Sequence, residues 1–137
     1  MRQKSFYIIV SLFSLVFGGL IYALFRKNSI IAIFLHKYIC LDTLKIKFSN
    51  LDSVFIKYYF IDFLWALSFI CGLQAIVFPQ NRIYITSALV IITGVFWEVL
   101  QYLNILPGTG DFLDCLMYLT AVLTVVLINN FLKEKKL

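Results

Sequence analysis

Four carboxylates, Asp62, Glu98, Asp111 and Asp114, stand at the edges of or inside long apolar runs, with Gln101 three residues after Glu98. A carboxylate at the centre of a bilayer costs about 2.5 to 3.5 kcal/mol on insertion scales and less near the interface, so acids kept in such runs call for a use. Glu98 interrupts an otherwise uncharged stretch and is the hardest of them to explain as surface. Crowded carboxylates share protons, hold a divalent cation, or receive a cationic or proton-donating ligand. Three chemistries therefore stay open: acid/base work by Glu98, Asp111 and Asp114, a metal site on Asp111 and Asp114, or a proton relay.

The elements that must position these groups follow from composition. The chain has 137 residues, 62% of them hydrophobic and 14% charged, and a mean hydropathy of +0.94. That apolar share exceeds what a soluble domain carries. The excess lies in runs of about 20 residues, the length that crosses about 30 Å of hydrocarbon at about 1.5 Å per residue. The expected fold is all-α: a polytopic membrane protein with a four-helix transmembrane bundle, forming one membrane domain over residues 1–137.

The spans are placed at 5–25, 58–78, 83–106 and 112–132, with Arg26 and Lys27 closing the first, Pro79 and Asn81 closing the second, and Pro107 with Gly108 marking the turn after the third. Residues 29–53 contain Lys37, Asp42, Lys45 and Lys47 and read as an interfacial segment between helices one and two. Arg2, Lys4, Arg82, Lys133, Lys135 and Lys136 share one side of a four-span chain, whereas 103–110 has no basic residue. The positive-inside rule then keeps both termini cytoplasmic, against the opposing pull of Arg26, Lys27, Lys37, Lys45, Lys47 and Lys57 in the first loop.

Four spans also bring the acids to one depth. Asp62 opens the second span, Glu98 and Gln101 end the third, and Asp111 and Asp114 open the fourth. Glu98 and Gln101 are i and i+3, as are Asp111 and Asp114, so each pair shares a helix stripe, and Tyr118 extends the second stripe by a turn. Trp65 and Ala66 lie on the face of Asp62, and Trp97 adjoins Glu98.

Structural readings compete at each position. Asp111 could cap a helix, Asp62 could be an interfacial carboxylate, Gln101 could join helices, and Trp65 and Trp97 could be interfacial anchors. Ser11, Ser14, Ser68, Thr86, Ser87, Thr93, Thr120 and Thr124 read as helix contacts, and Gly18, Gly19, Gly72 and Gly94 as close-packing positions. Cys40, Cys71 and Cys115 lack metal or redox spacing, and His36 has no partner for a metal site or a catalytic dyad. The net charge of +5 is scattered without a Lys/Arg stripe, so it reports topology and attraction to anionic lipid, and nucleic acid is not an expected partner.

The runs Trp97-Glu98-Val99-Leu100-Gln101 and Pro107-Gly108-Thr109-Gly110-Asp111, followed by Asp114, resemble the E-x-x-Q and G-T-F-D-x-x-D signature of VanZ-like small membrane proteins. Asp62-Phe63-Leu64-Trp65 resembles the D-x-L-W motif of short members of that group, and the resemblance spans the last three helices. It implies a bacterial cytoplasmic membrane protein whose site comprises Asp62, Trp65, Glu98, Gln101, Thr109, Asp111 and Asp114. Gly110 stands where the family carries an aromatic, which is expected to loosen the loop, and Ala121 where relatives often carry glycine. No basic residue precedes Asp111 in the manner of longer members. The family's namesake is associated with glycopeptide resistance, but a shared motif permits different tasks and names no substrate or cofactor.

The leading expectation is an acidic pocket near the outer membrane face that binds a small envelope or lipid-linked molecule. The alternatives are a membrane enzyme acting on a lipid-linked substrate with carboxylate or metal assistance, a proton or ion transporter, and a purely structural use of the polar residues. Membrane lipids are the expected surroundings, and no sequence feature dictates a homodimer.

Overall fold

The computed structural model describes residues 2–25, 55, 58–76 and 82–134. The expected interfacial segment, His36 and Cys40 lie outside them. The described residues form four helices: α1 (Arg2–Phe25), α2 (Tyr59–Ile76), α3 (Ile83–Tyr102) and α4 (Phe112–Glu134). Each is long and apolar enough to cross a membrane, and among the described residues there is no strand. Helices are the expected solution, because lipid offers no partner to an unpaired backbone N–H or C=O. The chain is a multi-pass, all-helical membrane protein.

The side chains are sorted as a bilayer requires. Ile9, Phe13 and Val16 on α1, Ile92 and Phe96 on α3, and Leu127 and Phe131 on α4 are exposed, whereas Ser14, Ser68, Gln74, Thr86, Glu98 and Asn129 are buried. Apolar side chains lose nothing by facing lipid, so the interior collects small and polar groups that bond across helices. On α4 the buried positions Tyr118, Ala121, Val122, Val125 and Asn129 recur at helical spacing and define one inward stripe.

Cross-helix contacts set the directions. Ser11 Oγ donates to the Ser68 carbonyl at 2.9 Å, and Ser68 Oγ donates back to the Ser11 carbonyl at 2.9 Å. Nearby, a Cβ on Gly18 would meet Leu64 and Trp65 at 3.3 Å, and one on Gly72 would meet Ser11 Oγ at 3.2 Å. These small residues let α1 and α2 approach in antiparallel fashion. Gly19 faces open space within 4 Å, so it is not a packing position. Tyr7 near the start of α1 donates to Asn129 Oδ1 near the end of α4 at 3.1 Å, and Thr86 Oγ1 meets Gln74 Oε1 at 2.9 Å. Tyr59 and Asp111, at the opposite ends of α2 and α4, are also joined. The helices therefore run up, down, up, down, with the acidic motif at one end of the bundle and Tyr7, Gln74, Thr86 and Asn129 at the other. Ser87, Thr93, Thr120 and Thr124 bond carbonyls of their own helices instead of neighbours.

The third helix stops at Tyr102, four residues before the end expected from its apolar run. Asn104 adopts φ 56°, its N–H bonds the Gln101 carbonyl, and the Ile105 N–H bonds the Leu100 carbonyl, both at 2.9 Å. This is a Schellman closure with asparagine in the left-handed position. Hydrophobicity continues through Leu106, but the backbone has already turned.

Candidate functional site

The closure of α3 delivers the chain into residues 103–111, which return across the end of the same helix. Gln101 Nε2 donates to the Pro107 carbonyl at 3.3 Å. Gly108 follows with φ 137°, and a Cβ there would overlap the Gln101 amide. At Gly110 a Cβ would lie 2.6 Å from the Glu98 carbonyl oxygen and 2.8 Å from the Tyr102 nitrogen. The expectation that Gly110 loosens the loop is thus reversed: the missing side chain lets the loop backbone press onto α3.

That approach completes the surroundings of Glu98. Its Oε2 accepts the Asp111 backbone N–H at 3.1 Å, and its Oε1 accepts the Tyr118 hydroxyl at 2.6 Å. The second distance is in the range of a hydroxyl donating to a carboxylate. Glu98 is 6% exposed, so this one side chain ties α3, the loop and α4 together inside the bundle. Tyr118 reaches it because Gly94, one turn before Glu98, leaves room for the phenol ring: a Cβ at Gly94 would collide with that ring.

Asp111 has a similar double engagement. One carboxylate oxygen, Oδ1, accepts the Leu113 N–H at 3.0 Å, which caps the start of α4. The other, Oδ2, accepts the Tyr59 hydroxyl at 3.1 Å and so fastens α2 to α4. The helix-cap reading of Asp111 is realised, and the same carboxylate also joins α2 to α4. Among the described residues no group of three or more His, Cys, Asp and Glu side chains is placed to hold a metal ion. Among the described residues the Asp111 and Asp114 pair named from the sequence gains no third ligand, and both Asp111 oxygens already have donors.

Beside this network lies a cavity of about 930 Å³. Asp62, Trp65, Glu98, Gln101, Thr109, Asp111 and Asp114, all seven residues selected from the sequence, line it. The structure adds Tyr22, Tyr59, Trp97 and Tyr118 to the wall at the acidic end, and Leu15, Ala66, Phe69 and Val90 toward the bundle middle. Tyr22 packs edge-on to Trp65 with ring centroids 6.3 Å apart. Tyr59 escaped sequence reasoning because, at the second residue of the expected span 58–78, it reads as part of the apolar run. Its spacing three residues before Asp62 was the available signal. Tyr22 and Val90 gave none, since their place depends on how the helices cross.

Among the described residues that line the cavity, four are carboxylates and none is Lys, Arg or His. The oxygens of Glu98 and Asp111 already accept hydrogen bonds, so these two acids meet the cavity as engaged groups beside the aromatic rings. No family model, no curated protein and no solved structure matches this chain.

Proposed function

We propose that this chain is a VanZ-like protein of the bacterial cytoplasmic membrane that binds a small envelope or lipid-linked molecule in the cavity beside Glu98. The observation that carries this reading is the meeting of all seven motif residues on one cavity wall. Its volume is of the size that takes a small ligand, and polar groups converge in its wall with aromatic and aliphatic side chains. Thr109 and Gln101 supply hydrogen-bonding capacity beside the acids, while Glu98 and Asp111 hold the wall in shape through Tyr118 and Tyr59. The lack of basic residues from 103 to 110 supports a cavity on the outer face, with both termini cytoplasmic.

Native mass spectrometry of protein taken directly from membranes tests the reading. The wild type is expected to retain a small-molecule adduct that a Thr93→Trp variant, which fills the cavity from its wall, releases at unchanged helix content. No adduct on the wild type, or an adduct that survives the filled cavity, would overturn it.

A further inference from the structure

The lower half of the cavity is built differently from its acidic end. Leu15, Phe69 and Val90 line it and fall near the middle of α1, α2 and α3, at the depth of the hydrocarbon centre. Ala66 belongs to the same wall. The two lining hydroxyls at this depth are engaged: Ser68 Oγ donates to the Ser11 carbonyl at 2.9 Å, and Thr93 Oγ1 donates to the Leu89 carbonyl at 2.7 Å. An ordered water needs about two to four polar partners, and neither hydroxyl has its proton free for one. An empty space is no better, because its walls forgo their dispersion contacts.

This half is also open sideways. α1 packs on α2, and α3 packs on α4 and α2, whereas α1 and α3 are not among the closely packed pairs. Leu15 and Phe69 line the cavity yet are 48% and 43% exposed, so they form a rim, while Ala66 and Val90, at 5% and 2%, form its floor. Exposure at the middle of a spanning helix is exposure to hydrocarbon. From Asp62 to Phe69 the α2 wall runs seven residues, about 10 Å at about 1.5 Å per residue. A chain that enters past the rim therefore covers the floor while its polar end stays beside Gln101 and Thr109.

Resting on the cavity reading above, we infer that the ligand is a membrane lipid whose apolar chain, acyl or isoprenoid, lies over Ala66 and Val90 and is continuous with the bilayer between α1 and α3. Two photolabels test this and separate the two sources of chain. In one arm, cells expressing the protein are grown with a fatty acid that carries a diazirine at mid-chain, which enters their lipids whatever the head group. In the other, the membranes are loaded with a diazirine-bearing polyprenol. After irradiation the labels are mapped to residues by mass spectrometry. Lipid surrounding the bundle reaches the exposed Phe13 and Leu127 but not the buried Ala66 and Val90. In one arm or the other, label on Ala66 and Val90 is expected within about threefold of that on Phe13 and Leu127. Thr93→Trp, which fills the cavity, should lower it about fivefold or more with Phe13, Leu127 and helix content unchanged.

No label on Ala66 or Val90 from either chain, with a native adduct that Thr93→Trp still releases, would overturn the chain and leave the cavity reading with a chainless ligand. No label and no adduct would overturn both. Label on Ala66 and Val90 that persists undiminished in Thr93→Trp would overturn the placement of the chain in the cavity.

Discussion

Removing the hydroxyl of Tyr118 tests the central claim about Glu98. Tyr118→Phe keeps the ring that fills the space beside Gly94 and deletes only the donor to Glu98 Oε1, which stands at 2.6 Å. Glu98 is 6% exposed, so water cannot readily replace that donor. The cost of leaving a buried acceptor unmet is about 1 to 3 kcal/mol, at the upper end where the acceptor is charged. We therefore expect a loss of about 2 kcal/mol in reversible unfolding followed in lipid bicelles by helix content and tryptophan fluorescence. A double-mutant cycle with Glu98→Gln isolates the pair, and its coupling energy should exceed about 1 kcal/mol, because residues in one hydrogen-bond network are not additive. A Tyr118→Phe loss under about 0.5 kcal/mol together with a coupling near zero would refute the view that Glu98 is held by Tyr118.

Three further predictions follow from single observations. Gly110→Ala places a Cβ 2.6 Å from the Glu98 carbonyl, so it should destabilise the bundle by about 1 to 3 kcal/mol, and unchanged unfolding in the same assay would mean the loop does not press on α3. Asn104 sits at φ 56°, so Asn104→Gly should be tolerated and Asn104→Val should cost about 1 to 2 kcal/mol, whereas equal stabilities would remove the Schellman closure from the account. At the far end, Asn129 Nδ2 is buried with no partner among the described residues while its Oδ1 accepts from Tyr7. Asn129→Leu alone should strand the Tyr7 hydroxyl and destabilise, while adding Tyr7→Phe should recover about 1 kcal/mol or more, and a double variant no more stable than the single would contradict this.

The spans and the convergence of the acidic residues at one end were legible in the sequence, because both are set by transfer energy. An uncharged run of about 20 residues has one inexpensive location, and a carboxylate within it is conspicuous for the same reason. Four crossings then put Asp62, Glu98, Gln101, Asp111 and Asp114 at one depth without knowledge of any contact. The end of α3 was not legible, since Leu103, Ile105 and Leu106 prolong the apolar pattern while backbone hydrogen bonds around Asn104 end the helix. Gly110 was misread for a related reason. A missing side chain signals either looseness or close approach, and only the position of the Glu98 carbonyl decides between them.

The sequence by itself determined that this is an all-helical membrane protein whose acids gather at one end, because hydrocarbon penalises charge and unpaired backbone wherever they fall. Only the tertiary structure decided what Glu98 and Asp111 bond to. The rotation and crossing of the helices bring Tyr118 and the Asp111 N–H to Glu98, and Tyr59 to Asp111. The same crossing leaves a cavity between these groups and Trp65. Hydrogen bonds act over about 3 Å, and that scale is set by packing across elements, where hydropathy along the chain carries no information.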